Sequence, residues 1–314
     1  MIDNLLDPIV LCFAVGFLAG LVKSDLRLPK SSYEFVSLYL LLAIGFKGGV
    51  QLAGTSFAEF VPALGGTLFL GILIPLLAFV ILRHLGGFDR ANSGAIAAHY
   101  GSVSAVTFAA TLNYLQNLEV SFEPYVISLM VILEIPALAV GIYLAKGGFS
   151  QVSNKKKLLA DIFFGKSIFL LGGGMLIGFI SGPERMAPLN PLFVDLFKGF
   201  LALFLLELGV VASHQLSHLK RAGLFLLGFG VLMPLLSGAI GLVVAWLVGM
   251  SLGGATILAV LAASSSYIAA PSAMRIAVPE ANPVFSITSS LAVTFPLNIT
   301  FGIPLFYWLA GWIF

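Results

Sequence analysis

Gly71-Ile72-Leu73-Ile74-Pro75-Leu76-Leu77 returns later in the chain as Gly230-Val231-Leu232-Met233-Pro234-Leu235-Leu236, one G-x-L-x-P-L-L pattern written twice. Further landmarks keep nearly the same separation. Lys47-Gly48-Gly49-Val50 meets Glu207-Leu208-Gly209-Val210, Ser93-Gly94-Ala95 meets Gly253-Gly254-Ala255, Ser104 meets Ser264, and Ile135-Pro136 meets Phe295-Pro296. A separation held at so many positions argues for an internal repeat rather than chance. Around these strings the apolar runs number ten, centred near Gly16, Leu42, Ile72, Tyr100, Leu133, Gly172, Leu203, Pro234, Ala263 and Ile299, which predicts five crossings per copy. An odd number of crossings forces the second copy into the membrane from the opposite side, so the repeats are inverted. The predicted units are a first repeat over 1–146, a cytoplasmic linker over 147–160 and a second repeat over 161–314.

Composition agrees with an all-α polytopic membrane protein. Of 314 residues, 59% are apolar and 10% charged, and the mean hydropathy of +1.06 excludes a water-soluble globule. A net charge of +2 offers no basic surface for nucleic acid. Cys12 is the sole cysteine, which rules out an internal disulfide or a cysteine-based metal cluster and says nothing of redox compartment. The stretch Ile9–Val22 lacks a basic lead-in and a small-residue cleavage site, so it is predicted to be a retained first span. Lys23, Arg27 and Lys30, Arg83 and Arg90, Lys146 with Lys155-Lys156-Lys157, Lys220 and Arg221, and Arg275 fall in alternate connections. The positive-inside rule then puts those connections in the cytoplasm and both termini outside. The lysine run serves as a topology anchor, with lipid or regulator binding as its alternative.

Inverted repeats are a mark of secondary carriers, because each half can adopt the other's conformation around a midplane site. Small and hydroxylated residues cluster at His99-Tyr100-Gly101-Ser102-Val103-Ser104-Ala105-Val106-Thr107 and at Ala262-Ala263-Ser264-Ser265-Ser266-Tyr267-Ile268-Ala269-Ala270-Pro271. These are the fourth and ninth spans, predicted to break or cross there, with Pro271 helping to break the second. Broken helices expose N–H groups and a positive dipole end to an anion, while hydroxyls and freed carbonyls coordinate a hard cation such as Na⁺. The candidate substrate residues are Gly101, Ser102, Ser104, Ala105, Ser264, Ser265, Ser266 and Tyr267. The candidate ion ligands are Ser104, Thr107, Glu134, Ser264 and Ser266. The competing explanation is close helix packing by small residues. Other than Na⁺, no metal or cofactor is expected.

On Gly101-Ser102-Val103-Ser104 with Thr107-Phe108-Ala109-Ala110, on Ile135-Pro136-Ala137-Leu138, and on Leu258-Ala259-Val260-Leu261-Ala262-Ala263-Ser264-Ser265-Ser266 continuing to Pro279-Glu280-Ala281-Asn282-Pro283, the chain resembles the sodium-dependent bicarbonate permeases of the cyanobacterial type. The resemblance runs over nearly the whole length. It implies a ten-span, five-plus-five inverted repeat with a mobile core and a scaffold. It also implies elevator-like Na⁺/bicarbonate symport, a homotrimer, and a bacterial plasma membrane location. The chain departs from the family pattern in three places. Tyr267 stands where the family has an aspartate, Ser104-Ala105-Val106 replaces Ser-Gly-Ser, and Ala269-Ala270 replaces Ser-Gly. These departures leave open whether Na⁺ coupling survives and whether the substrate is another small anion or a carboxylate. The family's long insertion between halves shrinks here to about fifteen residues, which leaves control by a PII-like protein open.

Ionisable groups at bilayer depth cost roughly 2.5–3.5 kcal/mol on insertion scales. Lys47 and Glu207 hold matched positions of the two repeats and are predicted to form an intramembrane charge pair, either structural or gating, with simple snorkelling at helix ends as the alternative. Glu134, beside Pro136, is either a cation ligand, as an acidic residue there is in the family pattern, or a partner of backbone freed by the proline. His99 and Tyr100 are expected to be interior packing partners, with a ligand role as the alternative. A remote alternative from another class is an intramembrane serine hydrolase using Ser102 and His99, which requires the two side chains within hydrogen-bond reach.

Overall fold

The computed structural model describes residues 2–148, 160 and 164–314, so the Lys155–Lys157 run and most of the 147–160 bridge lie outside the described residues. Among those residues there is no strand. Eight helices are long and apolar enough to cross a membrane, and two shorter apolar helices accompany them. In chain order they begin with the short α1, Pro8–Leu21, then α2, Lys30–Leu52, and α3, Phe57–Leu85. The run Arg90–Asn117 is broken into α4, Arg90–Gly101, and α5, Ala105–Asn117. After α6, Val126–Lys146, and the bridge come α7, Lys166–Leu189, α8, Pro191–His218, and α9, Gly223–Leu247. Then follow the short α10, Leu252–Ala263, α11, Ala269–Ala277, and α12, Pro283–Ala310.

Local chemistry sets the ends. Asp7 caps α1, accepting from Ile9 N at 2.8 Å, with Pro8 in the first turn where its missing N–H is harmless. Asp89 caps α4 by accepting from Asn92 N, and Ser251 caps α10 by accepting from Gly254 N. Gly223 separates α8 from α9 at φ 82°, a left-handed conformation that a side chain would disfavour. Pro271 lies within the first turn of α11 rather than at the break preceding it. The chain leaves helix earlier, at Ser264, so the proline does not itself break the helix.

Packing sorts the helices into two groups. In one, α1 lies along α8 and α2 lies along α7. In the other, α3 packs on α4 and α6, α4 on α6, α9 on α10 and α12, and α10 on α12. The first group is held by small residues that let backbones touch. A Cβ on Gly16 would stand 1.8 Å from Leu206 O and one on Gly209 2.2 Å from Phe13 O. Likewise a Cβ on Gly49 would meet Met175 O at 2.0 Å and one on Gly178 would meet Phe46 O at 2.3 Å. Gly16-x3-Gly20 against Gly209-x3-Ser213, and Gly45-x3-Gly49 against Gly174-x3-Gly178, are therefore small-xxx-small seams of the kind that associate helices in lipid.

The repeated heptapeptide has the same explanation in the second group. A Cβ on Gly71 would lie 2.6 Å from Pro136 Cγ on α6, and one on Gly230 would lie 2.9 Å from Val293 Cγ1 on α12. Each glycine lets α3 or α9 close on its partner.

Candidate functional site

Two helices stop inside the protein at the same backbone conformation: Ser102 ends α4 at φ −84°, ψ 168°, and Ser264 ends α10 at φ −80°, ψ 169°. The caps that start these helices, Asp89 and Ser251, are separated by the same number of residues as Ser102 and Ser264. By its ends, Ser264 corresponds to Ser102, two residues from the Ser104 match read in the sequence. Helix ends buried in lipid must find partners for their unpaired backbone groups. Here each break satisfies the other: Ser266 N donates to His99 O at 2.8 Å and Ser104 N donates to Ser264 Oγ at 3.1 Å. Asn298 on α12 adds a donation from Nδ2 to Ala263 O at 2.8 Å.

Most hydroxyls at the crossing are thereby committed. Ser104 Oγ accepts from Thr107 N and Thr107 Oγ1, at 3.1 and 2.9 Å, and donates to the Tyr267 phenol at 3.2 Å. Ser264 Oγ donates to Leu261 O, and Ser266 Oγ accepts from Ala270 N. Ser265 differs: its Oγ is buried with no partner among the described residues. The Tyr267 ring sits edge-on to Phe295, centroids 5.2 Å apart. Ser102 Oγ reaches Glu134 Oε1 at 3.5 Å, the outer limit of a hydrogen bond, and the buried Glu134 has no cationic partner among the described residues.

A small cavity lies where the breaks face α2, α6 and α7. It offers ≈ 20 Å³ to the centre of a water-sized sphere, about one water's room. Of the sequence-predicted residues, Ser104, Ala105, Ser266, Tyr267 and Glu134 line it. Gly101, Ser102, Thr107, Ser264 and Ser265 are buried and not part of its wall. Ala105 and Ala269, the first residues of α5 and α11, both line it, so two helix N-termini converge on one space. Leu41, Ser167, Ile268 and Ala269 also border a wider cavity of ≈ 330 Å³ reaching Glu34, Lys166 and Ser272. On the other side an apolar neck, including Leu40, Ile44, Val106 and Phe204, leads to a cavity of ≈ 320 Å³ at Lys47, Gln116 and Lys198. The spaces follow one seam, with α2 on one wall and α5 and α11 on the other.

A family model described as the Na⁺-dependent bicarbonate transporter superfamily matches residues 8–311. The chain belongs to this superfamily. None of the curated proteins compared with it matches. Membership agrees with the long apolar helices in making the chain a multi-pass membrane protein of the transporter class. Within this superfamily member the crossing brings hydroxyls, a buried carboxylate and two helix N-termini to the border of one cavity.

Lys47 and Glu207 are not brought together. Glu207 Oε2 accepts from Leu28 N at 2.8 Å, before the start of α2, whereas Lys47 lies seventeen residues into that helix, about 25 Å along its axis at 1.5 Å per residue. The physical reason lies in the packing: Glu207 stands at the level where the chain enters α2, Lys47 stands towards that helix's other end, and the length of the helix separates them. Nor do His99 and Ser102 form a couple. His99 Nδ1 bonds Ala95 O at 2.7 Å, its Nε2 has no partner among the described residues, and Ser102 turns to Glu134.

Sequence reasoning missed Leu41, Ser167 and Ile268 as wall residues and the glycine seams that hold α1, α2, α7 and α8. The four-residue glycine spacing was the available signal for the seams; nothing local marks Leu41 or Ile268.

Proposed function

We propose that the chain carries bicarbonate inward with Na⁺, by an elevator-like movement of a core (α3–α6 and α9–α12) against a scaffold (α1, α2, α7 and α8). The observation that carries this is the convergence of the α5 and α11 N-termini on one cavity, since the positive ends of two helix dipoles suit a small anion. Glu134, a buried carboxylate on the same wall without a cationic partner, suits a Na⁺ site together with Ser104 and Ser266, because an unpaired charge at that depth demands a counterion.

Ten spans in two inverted repeats are supported by the partner exchange in the packing. The pairs α1 with α8 and α7 with α2 interchange when the first repeat is swapped for the second, as do α3 with α6 and α9 with α12. Counting α1 and the broken α10–α11 as crossings completes the number. By the positive-inside rule the wide cavity at Lys166 faces the cytoplasm and both termini lie outside, in a bacterial plasma membrane. A homotrimer is the expected assembly, and a small anion and lipid are the partners. No cofactor is required, and the reading is of a carrier rather than an enzyme.

The test is uptake of radiolabelled bicarbonate into proteoliposomes with and without an inward Na⁺ gradient. Uptake that requires the gradient is expected; no uptake by folded protein under either condition overturns the reading. A second reading keeps the fold and the anion path and dispenses with Na⁺. It rests on Tyr267, which places a phenol rather than a carboxylate against Ser104. Equal uptake with K⁺ replacing Na⁺ would select it.

A further inference from the structure

The ≈ 320 Å³ cavity beyond the apolar neck has a charge pattern that the crossing lacks. Two ammonium side chains, Lys47 and Lys198, share its wall with one carboxylate, Asp195, so its lining carries a net charge of +2 − 1 = +1. Lys198 is held in place: Nζ donates to Asn117 Oδ1 at 3.2 Å, and Asn117 Nδ2 donates to Asp7 Oδ2 at 2.8 Å. Lys47 Nζ forms no hydrogen bond or ion pair with any described residue. An intramembrane cation that the protein leaves unpaired needs a counterion from solution, and a cleft with low-dielectric walls concentrates one.

We propose that this cavity is an anion-holding site, in which Lys47 and Lys198 gather a small monovalent inorganic anion one step before the neck at Ile44 and Val106. Its use as the antechamber to the crossing rests on the transport reading above; its affinity for anions does not. Lys47 sits in α2 and Lys198 at the start of α8, in the scaffold of that reading, while Gln116 belongs to α5 in the core. The site therefore spans the seam and loads from the side opposite Lys166.

The test uses the full chain with Cys12→Ser and a single new cysteine, Gln116→Cys, on the cavity wall. Labelling rates with an anionic sulfonatoethyl and a cationic trimethylammonioethyl methanethiosulfonate are compared. The anionic reagent is expected to be favoured, and the ratio of rates to fall about tenfold in Lys47→Gln/Lys198→Gln. A ratio that stays within about twofold overturns the proposal. Raising ionic strength on the protein with both lysines present must also collapse the preference, a measurement independent of how the double variant folds. Bicarbonate at constant ionic strength is expected to slow labelling when both lysines are present; equal rates with bicarbonate and with gluconate count against a held anion. In proteoliposomes, Lys47→Gln is expected to raise the bicarbonate KM about tenfold at unchanged kcat. If the protein with both lysines transports nothing and yet keeps its labelling preference, the transport reading falls and the site stands.

Discussion

Ser265 is surrounded by serines whose hydroxyls are bonded within the crossing, and it alone of the three has a buried Oγ with no partner. A buried hydroxyl without a partner costs about 1–3 kcal/mol, so removing it sacrifices no hydrogen bond. Ser265→Ala is therefore expected to hold or raise the thermal midpoint in detergent while bicarbonate uptake falls at least tenfold. A lowered midpoint with uptake intact would make the residue structural only. Ser104→Ala is expected to behave differently, losing both stability and uptake, because it removes one hydroxyl shared by Thr107 and Tyr267. Glu207 belongs to another network. Glu207→Leu strips the acceptor from Leu28 N and is expected to cost about 1–2 kcal/mol. Combined with Lys47→Ala, the stability losses should add within about 0.5 kcal/mol, since the two side chains share no partner. Denaturation of the two single variants and the double variant checks this.

At the scale of helices, the glycine seams and the loop ion pair make opposite demands on the environment. Gly49→Val places side-chain carbon where Met175 O already stands, and backbone cannot yield as a side chain does. It is expected to part α2 from α7 and lower the thermal midpoint by several degrees, whereas Gly172→Ala, with nothing within 4 Å, is expected to be neutral. The pair of Lys146 Nζ and Glu280 Oε1, at 2.8 Å, ties the end of α6 to the turn before α12. Burial raises the Glu280 pKa, but the bond to Lys146 and its charge outweigh that, leaving the carboxyl below its usual 4.5. A carboxyl depressed on folding contributes stability above its unfolded value and loses it as pH falls through the folded value. Glu280→Gln is therefore expected to cost about 0.2–1 kcal/mol at pH 7 and nothing once the native carboxyl is protonated, well below pH 4.5. Thermal unfolding of both proteins along a pH series measures the convergence.

For the whole molecule, the cavities follow the seam between two groups of helices, so relative motion of those groups would open and close the path. Leu41 on α2 and Ile268 just before α11 both border the crossing cavity and the wide cavity beside it. Leu41→Cys with Ile268→Cys, in a Cys12→Ser background, is expected to lose uptake on treatment with a short bifunctional thiol reagent, while either single variant keeps it. Uptake that persists after complete cross-linking would exclude relative motion of the two groups as the transport step. Matched strings share a packing role more readily than a contact, because a glycine's close approach is set by its own helix pair whereas a charge pair needs two distant positions brought together. Gly71 and Gly230 play one role on two helix pairs, whereas Lys47 and Glu207 stand some seventeen residues of α2 apart.

Apolar runs and their spacing needed no tertiary information, because lipid imposes a length and an all-helical solution on each crossing segment. The serine clusters at Ser102–Ser104 and Ser264–Ser266 likewise marked, in the chain alone, the place where two helices break. Which hydroxyls remain uncommitted, which of Gly101 to Tyr267 border the cavity, and which partner each charge takes were decided only by tertiary structure. Ser264, Ser265 and Ser266 are chemically identical neighbours in sequence. The opposing break gives Ser264 a backbone N–H from Ser104, the start of α11 gives Ser266 a local bond from Ala270 N, and Ser265 receives nothing, since hydrogen bonding depends on what the folded backbone presents at each position.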